Sequence, residues 1–140
     1  MMLSKKFLIL SFLGLSLNAA DLEIKDAFIK QTPPNSQNTA VFFTLVNKGE
    51  KEVALINAKS DLSDKVELHT HIHKDKKSTM VQIPQIKVSP NSSTELKPGS
   101  YHIMLFNVKQ PVDANTKASL TLYFDDNTSV KLEQIPSKKL

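Results

Sequence analysis

Beyond residue 20, apolar residues come in short runs broken by turn-forming residues about every eight to twelve positions, the spacing of an all-β sandwich or barrel. Leu22 to Lys30 reads as a first strand, ended by Thr32-Pro33-Pro34-Asn35. Ala40 to Asn47 (AVFFTLVN) is apolar on both faces, as a central strand would be. After the turn Lys48-Gly49-Glu50, Glu52 to Ala58 forms the next strand. Lys65 to His71 sets Val66, Leu68 and Thr70 on one side against Lys65, Glu67, His69 and His71 on the other. Lys74 to Ser78 is expected to be a polar loop leading to Met80–Ile83, and Ile86 to Val88 runs towards Ser89-Pro90-Asn91-Ser92-Ser93, a loop by composition. Pro98-Gly99-Ser100 turns the chain into Tyr101–Val108; Ala118–Asp125 and Thr128–Ile135 close the domain around Asp126-Asn127. Ser137 to Leu140 is expected to be a frayed basic tail. No convincing amphipathic helix, internal repeat or low-complexity tract interrupts this pattern.

The N-terminus departs from it. Met1–Lys6 is basic, Phe7–Leu17 is apolar, and Asn18-Ala19-Ala20 offers small residues for cleavage after Ala19 or Ala20. Eleven apolar-rich residues fall short of the roughly 20 that span a bilayer. The expectation is a cleaved signal peptide over residues 1–20, a single domain over 21–140, and a periplasmic location without stable membrane insertion. No Cys follows the apolar stretch, so a lipid anchor is not expected.

The formal charge of +4 falls to about +2 without Lys5 and Lys6. Every basic residue is Lys, spread among the acids, with no Arg to fork onto bases or phosphates, which argues against a nucleic-acid module. The absence of Cys has a chemical consequence: a metal site here must use His, Met and carboxylates. It also excludes a blue-copper electron-transfer centre, which needs a thiolate. No nucleophile elbow or phosphate-binding glycine loop is present, and an enzyme is not expected. Asp125 and Asp126 sit in an expected hairpin turn without a catalytic companion.

Past the signal segment there are only two methionines, Met80 and Met104, and four histidines, His69, His71, His73 and His102. His102 and Met104 lie two apart on an expected strand and so share a face; His69 and His71 do likewise. Thioether is soft and imidazole borderline, a combination that favours Cu(I) over Mg²⁺ or Ca²⁺. Its pH dependence would enter only through the imidazoles, which ligate when neutral.

The order His69, ten residues, Met80, twenty-one residues, His102, one residue, Met104 resembles the H-x10-M-x21-H-x-M signature of the periplasmic copper chaperones called PCu(A)C. Val66-Glu67-Leu68-His69-Thr70, Pro98-Gly99-Ser100-Tyr101-His102-Ile103-Met104-Leu105 and Ser119–Phe124 resemble that family's flanking segments. The resemblance implies a cupredoxin-like, Greek-key β-sandwich that holds one Cu(I) with His69, Met80, His102 and Met104. It also implies delivery of that copper towards respiratory cytochrome oxidase, through a copper-accepting oxidase subunit or a second copper chaperone. Some features depart from the family pattern. Gln82 stands where a second Met is frequent, Lys76-Lys77-Ser78-Thr79 stands where Asp-Gly is common, Pro90-Asn91-Ser92-Ser93 replaces a Gly-containing loop, and no His/Met-rich C-terminal extension follows.

His71 and His73 lie outside the signature. They are expected to be solvent-exposed, with accessory capture of Cu(II) or Zn²⁺ as the alternative. Lys74, Lys76 and Lys77 are either solvated or a docking patch for an acidic partner. A monomer is expected. The competing account is an exported metal-binding or adhesion β-sandwich that transfers no copper.

Overall fold

The computed structural model describes residues 21–140, so the expected signal segment lies outside the described residues. Eleven strands follow one another: β1 (Leu22–Lys30), β2 (Thr39–Asn47), β3 (Val53–Ser60), β4 (Lys65–Lys74), β5 (Lys77–Gln82), β6 (Ile86–Val88), β7 (Ser92–Leu96), β8 (His102–Phe106), β9 (Ala118–Phe124), β10 (Ser129–Ile135) and β11 (Ser137–Lys138). They build a seven-stranded sheet in the order β11-β1-β2-β8-β4-β5, with β7 also on β2, and a four-stranded sheet in the order β10-β9-β3-β6. There is no helix among the described residues. The all-β sandwich expected from the apolar spacing is the fold observed.

Alternation explains how the sheets pack. In β9, Ala118, Leu120, Leu122 and Phe124 are buried while Ser119, Thr121 and Tyr123 are less so. From the larger sheet, Val41, Phe43, Leu45, Leu68, Ile103 and Leu105 meet Leu55, Ile86, Val88, Leu120 and Leu122 in one continuous core. Each such side chain, fully buried, contributes about 1.5–3 kcal/mol of transfer free energy. A bulge in β1 between Lys25 and Phe28, with Asp26 at φ 54°, shifts the phase of that strand. Ile24 and Ile29 therefore both pack towards the core, which leaves Phe28 on the outer face, against Phe42.

Three segments differ from their sequence expectation. The polar loop expected at Lys74–Ser78 is the tip of a long hairpin. β4 runs on to Lys74, and a two-residue turn at Asp75-Lys76, both at positive φ, returns the chain as β5. Positive φ at both central residues gives the turn whose twist matches the flanking strands, so Asp75-Lys76 fills the place expected of Lys76-Lys77-Ser78-Thr79. Ser92-Ser93, expected in a loop, begins β7, which pairs with Phe43–Asn47 beyond the point where β8 has left β2. The tail expected to fray is held instead: Ser137 and Lys138 pair in parallel with Ile29 and Lys30, and Gln31 N–H donates to the Lys138 carbonyl at 2.9 Å.

Candidate metal centre

The pairing of β8 with β4 and β2, and of β4 with β5, decides which side chains meet. His69 stands opposite His102 and Gln82, His71 opposite Met80, and Met104 opposite Glu67 and Ala40. Residues opposite one another share a face, so His69, His71, Met80, His102 and Met104 all project from the outer face of the larger sheet. The intervening Leu68, Ile103 and Leu105 fill the core. The long sequence intervals between the four candidate ligands thus collapse onto three neighbouring strands.

Despite facing outward, the two imidazoles are largely covered: His102 is 3% and His69 6% exposed. Aromatic rings form their surroundings. Phe42 lies 6.2 Å from the His102 ring and Phe106 5.6 Å from that of His69. The two imidazole rings are themselves 5.7 Å apart. Met80, by contrast, is 38% exposed.

Hydrogen bonds fix the tautomers. His102 Nδ1–H donates to the Ser100 carbonyl at 3.0 Å, which leaves the lone pair on Nε2. That Nε2 faces Met80 Sδ at 3.1 Å, so two lone-pair donors meet with no proton between them. His69 Nε2–H donates to Glu67 Oε1 at 2.9 Å, and His69 Nδ1 is buried without a hydrogen-bond partner. A buried polar atom without a partner is destabilising unless something else engages it. A neutral imidazole whose far nitrogen is tied to a carboxylate or carbonyl is the usual form of a metal-bound His. The donor set fits a soft cation.

Electrostatics favour the same form. Burial holds the His102 imidazole below its ordinary range, the Ser100 bond opposes this in part, and His71 and His69 nearby add to the lowering. Each of these lowering influences favours the neutral, ligating form of His102.

A cleft of about 260 Å³ opens onto the site, with Ala40, Phe42, His71, Met80, His102 and Met104 among its walls. His71 is the residue the sequence reading misplaced. It is not solvent-exposed: it is half-buried, its ring lies 5.2 Å from His102, and its Nδ1 is buried without a partner. The β4–β5 hairpin continues past the core and carries His71 over the cleft, directly across from Met80. Alternation already put His71 on the His69 face; its proximity to His102 depends on the extended hairpin, which local composition did not reveal. His73 is exposed, stacks on His71 at 6.2 Å, and its Nε2–H donates to the Gly99 carbonyl at 3.0 Å. Among the described residues no three His, Asp or Glu side chains gather closely enough to hold a metal without sulfur. Gln82 is exposed, and Lys74, Lys76 and Lys77 at the hairpin tip are solvated. Asp125 and Asp126 hold backbone N–H groups of Ala54 and Thr128, as turn residues do.

Residues 22–136 match the family described as "Putative lipoprotein LpqE-like". The chain belongs to the LpqE-like family. Two relatives are similar in sequence: "Uncharacterized protein RP573" of Rickettsia prowazekii, 37% identical over 92 residues, and "Putative lipoprotein Lxx21020" of Leifsonia xyli, 30% identical over 112 residues. The matches take in 65% and 79% of this chain, and the chain spans about half of the first relative (51%) and 66% of the second. In fold, this LpqE-like chain is similar to the apo PCuAC domain from PmoF1 (TM-score 0.71, 14% identity, 86% of this chain and 95% of that one). The copper-bound PCuAC domain from PmoF2 is also similar (0.68, 18%, 84% and 92%), as is Cu(I)-DR1885 from Deinococcus radiodurans (0.64, 22%, 83% and 77%). At these identities the likeness is one of fold, and the fold is that of PCuAC domains, the cupredoxin-like β-sandwich that the resemblance to PCu(A)C implied.

Proposed function

We propose that this protein is a copper chaperone that holds one Cu(I) with His69, Met80, His102 and Met104 and releases it to an acceptor protein. The observation that carries this reading is the contact between His102 Nε2 and Met80 Sδ at 3.1 Å, with the proton of that imidazole committed to Ser100. A nitrogen and a sulfur lone pair directed at each other form half of a soft-metal site. Met104 from the same strand as His102 and the unpartnered Nδ1 of His69 supply the rest. Copper in the PmoF2 and DR1885 domains of the same fold supports the choice of cation.

The exposure of Met80 suits transfer. A structural metal site is closed, whereas a carrier needs one face through which incoming ligands attack before its own let go. Met80 on the rim would be the first donor that an acceptor's ligands displace, and the buried His102 the last. Because thioethers survive an oxidising compartment without forming disulfides, the site suits the periplasm, the location that the N-terminal pattern suggests. The recipient in this reading is a copper-accepting subunit of the respiratory oxidase or a second chaperone that serves it. The role is one of binding and transfer, not catalysis.

The test is transfer itself. Cu(I)-loaded protein is mixed anaerobically with an apo copper-accepting oxidase domain, and copper is followed in the acceptor. Delivery faster than from a small-molecule Cu(I) complex of equal affinity is expected. Delivery no faster than from that complex would reduce the protein to a metal-binding sandwich.

A further inference from the structure

The cleft and the four proposed ligands do not coincide completely. His71, Met80, His102 and Met104 line the opening, but His69 is not among its walls. It lies beneath, tied to Glu67 and flanked by Phe106. Copper entering from solvent therefore meets His71 before His69. Moreover, His71 carries the same mark as His69, a buried Nδ1 without a partner. Its ring is nearer to His102 (5.2 Å) than that of His69 is (5.7 Å). The stack on His73, itself anchored to the Gly99 carbonyl, holds the His71 ring in that pose.

Three imidazoles around one sheet face do not converge on a single point here, so His69 and His71 alternate rather than bind together. We propose that His71 is a fifth copper donor, a relay ligand that takes the cation at the mouth of the cleft and exchanges it with His69 while His102, Met80 and Met104 stay bound. This rests on the copper-binding reading above. One Cu–N bond forms as the other breaks. The copper remains Cu(I), and no proton moves when each imidazole presents Nδ1 and keeps its proton on Nε2.

The physical advantage is kinetic. Withdrawal of the buried His69 from copper would otherwise leave an open coordination position until an acceptor arrived. A tethered imidazole next to it fills that position at high effective concentration. The same donor serves entry and exit, so its removal slows both directions and changes their ratio much less.

The experiment is stopped-flow exchange of Cu(I), under anaerobic conditions, between the purified protein and a chromogenic chelator, read in both directions. His71→Thr keeps a β-branched side chain suited to the strand, and retention of the fold is checked by circular dichroism. Uptake and release should both fall by about tenfold, the lower end of what removing a supporting group at a metal site costs. His71→Met, which offers another soft donor, should restore both rates; a merely structural role would give no such rescue. Rates equal to wild type in His71→Thr would make His71 a bystander. Faster release with unchanged uptake would make it a static ligand. Either result overturns the relay while leaving the chaperone reading intact. Wild-type protein that takes no copper from the chelator would overturn the chaperone reading instead.

Discussion

Strands β4 and β8 present two faces of opposite character within a single layer of backbone. On the inner face, Leu68, Ile103 and Leu105 are at most 4% exposed and belong to the hydrophobic core. On the outer face, one residue along in each case, stand His69, His102 and Met104, two of them nearly as buried but holding lone pairs that no proton engages. The inner face gains from burial and loses nothing polar. The outer face hides polar atoms under Phe42 and Phe106 and leaves part of their bonding unmade. A two-residue period thus separates what stabilises the fold from what the fold serves, and substitutions on alternate positions should separate the two experimentally.

The largest effect is expected where that separation is sharpest. Leu105→Ala should lower unfolding free energy by about 2–5 kcal/mol, a substantial part of the about 5–15 kcal/mol typical of a domain. The fraction that remains folded should still bind one copper; urea denaturation followed by metal titration would read both. His102→Ala, three residues away and on the other face, should reverse the pattern. Its fold should survive, and Cu(I) affinity should drop by more than the about 10–100-fold expected for loss of a supporting group. Equal damage to stability from both substitutions would break the comparison.

Glu67 sharpens it. It touches no copper in this account but orients His69 through the 2.9 Å bond to Nε2. Glu67→Ala should therefore weaken Cu(I) by about 10–100-fold with little change in unfolding free energy. An unchanged affinity in a chelator competition would show that His69 needs no such support.

A smaller effect follows from His102 itself. Its imidazole titrates below the ordinary range because it is buried. The unfolded chain then binds a proton that the folded protein does not, so apo stability rises with pH across that window and is lost as pH falls below about 6.5. Denaturation midpoints measured across mildly acidic pH should show this slope in wild type and less of it in His102→Gln. The smallest expected change is at the hairpin tip. Lys76 sits at φ 65°, where glycine is free of the strain an L side chain meets. Lys76→Gly should thus stabilise the hairpin by about 1 kcal/mol or less without altering Cu(I) affinity. A thermal melt would detect it.

What was legible in the sequence was local. The alternation in Lys65–His71 and Ala118–Asp125, and the apolar run Ala40–Asn47, marked their strands because a half-buried or central strand imposes those patterns on its own residues. β7 was hidden because Ser92 and Ser93 look like loop, and what makes them strand is the free edge of β2 left by β8. Likewise, Ser137-Lys138 gains its order from β1, more than a hundred positions away in sequence. The four candidate ligands were nominated through the family resemblance that their spacing carries, whereas the placement of His71 against His102 was not legible. Its position depends on the hairpin length set by Asp75-Lys76 and on the rings around it, which no short window of sequence encodes.

The most direct test of the central claim is an anaerobic competition titration of the purified protein for Cu(I) against a chromogenic chelator, with Met80→Leu and Met104→Leu in parallel. Leucine keeps roughly the volume of methionine and removes the sulfur. One equivalent of Cu(I) bound by wild type, with affinity lost in both variants and the fold unchanged, is the predicted result. Affinity in the two leucine variants equal to that of wild type would contradict a copper site built on these sulfurs.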